Sequence, residues 1–437
     1  MLAQTADGLR PTVDDEEQAA APPIEAEEAR VPLLEVTPED EPPDTQLEVN
    51  PPEEPLEEPR REPREILIEP FASRGFGSPV FRIYPTLGMD AVYSTNPANS
   101  PSNPQDAFGV RIRPSLRFES DWSRHSWTGD ASASLLEFEG DGEAAVLDAN
   151  AATRFRLDIL RTTRAEFDAR YTLEEADGDT AETGYDQSFG ASASLTHDFG
   201  QFEGRLRAGA NFQLYDDLEL LDGSTEDNGD RQYAEPTVSI RATYSEPPSF
   251  KPFVEVGYAP RFHFKNTDRN GEKRNSHGLN ARAGVVIDRG PIWSGEAALV
   301  YSARDYKGSA LKTANVLGVD ANLTWRPTEL TEVTATASTA LDEVTEAGIS
   351  ATQTWIFGVD VVQAIKENVD VFGRTEVTLE DTSIGTDVTV DTTMGVAWKL
   401  NPWVTWSASY DATWFDGVGN DGDYREHRVS AGVELRP

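Results

Sequence analysis

The alternation of polar and apolar residues from about residue 80 to the C-terminus is the feature that most restricts what this 437-residue chain can form. Phe108, Val110, Ile112, Leu116 and Phe118 fall on one face of an extended segment. Arg111, Arg113, Ser115, Arg117 and Glu119 fall on the other, because a strand's side chains alternate with period two. After a turn the pattern resumes, with Trp127, Gly129, Ala131, Ala133 and Leu135 set against Ser126, Thr128, Asp130, Ser132 and Ser134. About eighteen such runs follow one another, from 80–94 to 424–436, each about 11–15 residues long. Soluble strands usually hold about five or six residues, whereas about 9–11 tilted residues plus an overhang cross a bilayer.

The connections sort into two kinds that interleave. "SDWSRH", "LRTTR", "FGQF", "EPPSF", "RGPI", "RPTEL", "KEN" and "NP" are tight. "NPANSPSNPQD", "EADGDTAETG", "DDLELLDGSTEDNGD", "NTDRNGEKRNS" and "DGVGNDGD" are long, acidic and rich in Gly and Asn. Tight turns at one end and long loops at the other are the layout of an outer-membrane barrel, and a Greek-key sandwich has no reason to keep that order. A β-solenoid would show a fixed internal repeat, and none is found. No run of about 18 apolar residues exists, which excludes helical spans but not spanning strands. The pattern predicts an all-β fold: a closed antiparallel transmembrane β-barrel of about 18 strands over residues 78–437, behind a disordered N-terminal tail, residues 1–77. An even strand number returns both barrel termini to the short-turn side.

The tail is dominated by Pro, Glu and Asp, so it repels itself and offers little apolar area to offset chain entropy. In polyproline-like form at about 3.1 Å per residue it would extend on the order of 200 Å, enough to span a periplasm. It is expected there as a tether or binding tail, or as a solvated spacer. The start "MLAQTADG" has neither a basic n-region nor an apolar h-region, while "LA" before Gln4 resembles the end of a cleavage site, so a signal peptide is expected to be absent or truncated. A formal net charge of −39 argues against a nucleic-acid partner, which needs Lys and Arg in excess on some face. The absence of Cys suits an envelope protein.

If the fold is a barrel, the apolar set faces lipid and the polar set the lumen. In Phe202–Tyr215 the outward positions are Phe202, Leu206, Ala208, Ala210, Phe212 and Leu214, and Glu203, Arg205, Arg207, Asn211 and Gln213 point inward. Aromatics near strand ends, Trp127, Tyr171, Tyr215, Tyr244, Trp293, Trp325, Trp355, Trp398 and Trp403, are expected to form interfacial girdles. The inward phase of the second to seventh strands carries a basic arc: Arg111, Arg113, Arg117, Arg154, Arg156, Arg164, Arg170, Arg205 and Arg207. Later strands carry an acidic one: Asp320, Asp360, Asp370, Glu376, Asp391 and Asp411. As pore-lining groups the two arcs would set up a transverse field favouring polar or charged solutes. The competing reading is that Glu119, Glu166, Asp168 and Glu203 neutralise those Arg residues within a wall network.

"GMDAVYSTN" followed by "RIRPSLRFESDWSRHSW" looks like the opening strand pair of a known family. From about Phe81 to its end the chain resembles the putative β-barrel porin family of alphaproteobacterial outer membranes. The resemblance implies an outer-membrane barrel whose solute is undefined, in a family with some members associated with exopolysaccharide export. Such barrels usually end in an aromatic that the barrel-assembly machinery reads, whereas this chain ends Leu435, Arg436 and Pro437. In the turn Ser120, Asp121, Trp122, Arg124 and His125, the residues Asp121, Arg124 and His125 are expected to fix the tight link and Trp122 to sit at the inner interface. A catalytic pair of Asp121 and His125 is the alternative.

Enzymatic and metal chemistry find no support in the sequence. His125, His197, His263, His277 and His427 are scattered without ligand spacing, and no nucleophile elbow or phosphate loop appears. The acidic loops lack the ordered spacing of a calcium loop, which leaves diffuse Ca²⁺ or Mg²⁺ binding or plain solvation. No cofactor is expected. The expected function is passive passage of small hydrophilic solutes through a charged lumen, in a barrel bathed by outer-membrane lipid. The alternatives are a partner in exopolysaccharide export, with polysaccharide as the cargo, and a structural or adhesive barrel with a blocked lumen.

Overall fold

The computed structural model describes residues 71–140, 145–175, 184–219, 223–308, 311–342, 349–381, 385–418 and 422–437. Residues 1–70, which make up most of the expected tail, lie outside the described residues. The long strands are β1 (Phe81–Ser94), β2 (Ala107–Ser120), β3 (His125–Phe138), β4 (Val146–Leu160), β5 (Thr163–Glu175), β6 (Tyr185–Asp198), β7 (Phe202–Tyr215), β8 (Tyr233–Tyr244) and β9 (Phe250–His263). They continue as β10 (Ser276–Arg289), β11 (Trp293–Tyr306), β12 (Ala314–Thr328), β13 (Thr331–Asp342), β14 (Thr352–Lys366), β15 (Val369–Asp381), β16 (Thr386–Asn401), β17 (Val404–Asp416) and β18 (Tyr424–Leu435). Each pairs antiparallel with the next in sequence, and β18 returns to β1, so the eighteen long strands close into a barrel. The strands match the expected runs to within a few residues; β4 starts at Val146 rather than 149, and β12 at Ala314 rather than 311.

Closure is uneven along the seam. β18 pairs with only the second half of β1, from Leu87↔Leu435 to Ser94↔Arg428. Beyond it, the three-residue stretch Phe76–Ser78 pairs with Phe81–Ile83 and supplies part of the missing edge. Ser73 Oγ and Arg74 N donate to Pro437 O at 2.7 and 3.1 Å, and Arg436 Nη2 donates to Phe71 O at 3.0 Å. Both ends of the barrel therefore meet at the short-turn rim, and the boundary expected at residue 77 falls inside a paired stretch.

Proline, which has no N–H to donate, marks the gaps in the ladder. The β8–β9 ladder keeps its register but lacks pairs between Ala234↔Phe262 and Val238↔Tyr258, where Pro236 and Pro260 lie. Around Pro114 the β2–β3 ladder likewise lacks pairs between Ile112↔Leu135 and Ser115↔Ser132, with the register unchanged. The tight Phe199–Gln201 turn uses Gly200 at a φ of 95°, a conformation that costs other residues a clash with Cβ, and its N–H donates to Asp198 Oδ1 at 2.7 Å.

The molecule is inverted relative to a soluble domain. Phe108, Val110, Ile240, Val256, Leu299 and Leu317 are exposed on the outer face, whereas among the described residues buried polar side chains outnumber buried apolar ones. Aromatic pairs ring the short-turn rim, Phe118 against Trp127 at 5.0 Å, Phe202 against Tyr244 at 5.1 Å and Trp293 against Trp325 at 5.6 Å. Tyr215 departs from the expected girdle: it follows the outward Leu214, so its phase is inward, and it is buried beneath the Arg231 guanidinium at 4.1 Å.

Candidate functional site

Among the described residues, the inner wall is where the fold gathers charged groups from many strands. Its densest part is a band to which six consecutive strands each contribute one residue: Arg205 on β7, Arg241 on β8, Glu255 on β9, Arg282 on β10, Glu296 on β11 and Asp320 on β12. Arg241 grips Glu296 with both ends of its fork, at 3.0 and 2.6 Å. Arg282 lies 3.1 Å from Glu296 and 2.9 Å from Asp320. Glu255 lies 3.5 to 3.6 Å from Arg205, Arg241 and Arg282 and accepts the Ser239 hydroxyl hydrogen at 2.9 Å. The Arg241 guanidinium also covers the Phe253 ring at 3.5 Å.

Arg241 and Glu296 sit on strands separated by two others, a reach that is open only on the concave side of a curved sheet. With three guanidinium groups and three carboxylates the band is neutral within itself, which is how charges with side chains less than a tenth exposed, such as Arg241 and Glu296, are held away from water. Above the band Glu235 receives Arg261 Nε at 2.6 Å and Arg304 Nη2 at 2.7 Å.

The expected basic arc is largely paired. Arg113 donates from Nε and Nη2 to Asp90 at 2.6 and 2.9 Å, Arg154 and Arg207 share Asp168 at 2.6 and 3.3 Å, and Arg164 reaches Glu203 at 3.1 Å and Glu166 at 3.9 Å. Arg117 lies 3.8 Å from Glu119 and stacks on Tyr84, and Arg156 lies 2.9 Å from Asp158. Arg170 lies across Gly190, where a Cβ would come within 3.1 Å of its Nε. Arg111 has no ion-pair partner within 4 Å among the described residues; its charged neighbours are Arg113, Arg428, Asp90 and Asp411. All four carboxylates proposed as neutralisers, Glu119, Glu166, Asp168 and Glu203, do meet an Arg of the arc.

The acidic arc has its own partners. Asp360 and Glu376 flank Arg374 at 3.7 and 2.7 Å, and Lys399 reaches Asp370 at 2.9 Å. Asp391 accepts from Thr413 Oγ1 at 2.6 Å and Asp411 from Thr393 Oγ1 at 2.7 Å. Between these sectors lies a cavity of about 470 Å³ lined by polar groups of β7 to β15, among them Arg207, Glu235, Arg304, Asp320, Thr336 and Arg374.

The Ser120–His125 turn ties strands together rather than assembling a reactive pair. Ser120 Oγ accepts Trp127 N–H at 2.7 Å, and Arg124 donates to Asp158 O at 3.3 Å. His125 Nδ1 accepts Asp158 N–H at 3.2 Å, and no hydrogen bond joins it to Asp121. Asp121 contributes its N–H to Val80 O at 3.0 Å, and Trp122 meets the edge of Phe155.

At the long-loop rim the β7–β8 and β9–β10 loops are clamped. Arg269 donates to Asn228 Oδ1 at 2.8 Å and to Asp230 at 3.1 Å, with Glu226 also bonded, and Lys265 pairs with Asp227. The Lys265 hydrogen bond holds the Asp227 carboxyl below the usual carboxylate range. Burial pushes the Asp230 carboxyl up, and the Arg269 side chain and amide that donate to it bring it below that range.

Residues 69–437 match the model of a family described as putative beta-barrel porin 2. No curated protein matches the chain in sequence. Among solved structures, the outer membrane protein opdK from Pseudomonas aeruginosa is similar at 10% identity and a TM-score of 0.42, over 81% of this chain and 99% of that one. The siderophore receptor PirA from Pseudomonas aeruginosa is similar at 9% identity and a TM-score of 0.38, over 82% of this chain and 81% of that one. OccAB4 of Acinetobacter baumannii stands at 10% and 0.37, over 81% and 98%.

Two outcomes follow from this geometry. Arg241→Ser leaves Glu296 buried without its fork and should cost about 3–5 kcal/mol in reversible urea unfolding in vesicles, whereas Arg117→Ser, at an exposed pair, should stay within about 1 kcal/mol. Depressed carboxyls stabilise the rim clamp fully above the ordinary value of about 3.9 and lose that contribution as pH falls through their lowered values. Amide exchange at Gly229 and Arg269 should therefore stay protected from pH 7 to about pH 4 and rise only below it.

Proposed function

Because the chain belongs to the putative beta-barrel porin 2 family, we propose that it is an outer-membrane channel through which small hydrophilic solutes pass passively along a charged lumen. The observation that carries this reading is the division of the inner wall. From β7 to β12 the charges are locked into a buried band, while Arg117, Arg156, Arg374 and Asp360 keep side chains 40% to 65% exposed on the same inner phase. Fully paired charges attract no solute, whereas half-hydrated ones of both signs offer successive weak contacts, the condition for passage rather than capture. The fifteen arc residues are assigned as pore-lining on this basis, with Arg111 the one least compensated.

The rest of the reading follows from the position of the ends. The described chain begins with Phe71 at the short-turn rim, which we assign to the periplasm, and we assign the Pro/Glu-rich segment there as a tether or spacer. Last-strand recognition by the barrel-assembly machinery uses β18, whose Leu435 is outward and exposed. No enzymatic step is assigned: the turn residues Asp121 and His125 hold strands, and the exposed charges serve conduction. The buried band favours a second reading, a structural barrel whose lumen is blocked at that level.

Planar-bilayer recording separates these. The purified chain should show ohmic steps, and the triple variant Arg117→Ser, Arg156→Ser and Arg374→Ser should shift the zero-current potential toward cation selectivity while conductance changes less than about two-fold. Silence throughout supports the blocked barrel, and silence relieved by an added export component supports the polysaccharide-export alternative.

A further inference from the structure

Among the described residues, most carboxylates of the inner wall meet a cation within 4 Å; Asp342 and Glu380 do not. Asp342 is the last residue of β13 and the Cα partner of Thr352, the first of β14, and Thr354 is the Cα partner of Glu380 on β15. The four therefore lie side by side on one inner face, at the long-loop end of three adjacent strands. Thr352, Thr354 and Glu380 are 4%, 5% and 8% exposed. The Thr354 hydroxyl faces Asp342 and the Thr352 hydroxyl faces Glu380. Yet Asp342 Oδ1, Thr352 Oγ1, Thr354 Oγ1 and Glu380 Oε2 are all shut off from solvent without a hydrogen-bond partner.

Neighbouring groups do not relieve this. Asp387, the Cα partner of Glu380, adds a third carboxyl but is committed to Val418 N–H at 2.6 Å. The cation whose field reaches Asp342 is Arg261, and it is bound to Glu235 at 2.6 Å. Two carboxylates that each bury an oxygen without a counter-ion within 4 Å repel each other and forgo hydration there, so such a pair either shares a proton or holds a cation. The available donors are all oxygens, two of them anionic, which suits a hard ion. Their irregular placement, drawn from three strands with no symmetric frame, suits calcium better than magnesium, which demands near-octahedral geometry.

We propose that Asp342 and Glu380, with the Thr352 and Thr354 hydroxyls, bind one calcium ion on the inner wall at the outer rim, with water completing the shell. The ion joins β13, β14 and β15 just where the long loops begin. It also cancels two negative charges beside the cavity that Asp342 and Thr354 line. This site is distinct from the acidic loops, and it stands whether or not the barrel conducts.

The test is titration of the full-length chain in detergent, first stripped with EDTA and then freed of chelator, with calcium chloride and separately with magnesium chloride. Calorimetry should show one saturable calcium step per chain, at least about ten-fold tighter than magnesium, and calcium should raise the thermal transition. Asp342→Asn with Glu380→Gln should abolish both effects while leaving the chelated protein as stable as the parent or more so, since a buried repulsion is gone. Asp370→Asn, at a carboxylate already paired with Lys399, should keep the step. If the double variant fails to fold, Thr352→Val with Thr354→Val decides, and it should weaken calcium about ten-fold. A parent chain with no saturable step, or a step undiminished in the variants, overturns the assignment.

Discussion

Hydrocarbon accepts no hydrogen bonds, so every backbone N–H and C=O that crosses it needs a partner within the protein, and for strands that condition is met only by a closed ladder. Here closure hangs on the pairing of β1 with β18, the first and last of the long strands. Where β18 falls short, Phe76–Ser78 pairs with β1, and the neighbouring Ser73, Arg74 and Arg436 fasten the two termini to each other. A residue range that looks from composition like the end of a tail is thus part of the wall.

Once the sheet is closed, the rest follows from which solvent each face meets. The outer face carries its exposed Val, Leu, Ile and Phe because lipid takes the place of a core. The inner face must hold charge in a confined space, and it does so in two ways. From β7 to β12 it packs Arg and carboxylate into a neutral band with the directional bonds that buried charges need. Elsewhere it leaves charges half hydrated. A wall of one kind alone would be either a plug or an unbraced ring, and the combination gives a stiff frame with a wet sector.

The strands were legible in the sequence because side-chain phase is a local property. Alternation, the two kinds of connection and the two faces of each strand need no knowledge of the fold, and the observed strands match them closely. Pairing along the inner wall between strands that are not neighbours was not legible, because it depends on the curvature of the sheet and the register of the strands between. Grouping charges by sign found the Arg-rich and Asp-rich strands but passed over Arg241, Glu255, Arg282 and Glu296, whose strands mix signs and whose inward phase was nonetheless visible. Tyr215 was misplaced because it was judged as an aromatic near a strand end, when its phase, one residue after the outward Leu214, already turned it inward. Asp342 and Glu380 carried no local signal at all: their distinction is that no cation among the described residues stands within 4 Å, which only the assembled wall reveals.

The seam is the point at which the account is most exposed. Met89 and Val433 are Cα partners across it, both outward and both exposed, in a chain that has no native Cys to confuse the result. Cross-strand partners lie within the span a disulfide tolerates. In vesicles, the double variant Met89→Cys with Val433→Cys should oxidise within one chain to a band of altered mobility that reduction reverses. Met89→Cys with Leu299→Cys, on the far wall, should not. Failure of the seam pair to cross-link within a chain, or equal cross-linking of the distant pair, would contradict a barrel closed between β1 and β18.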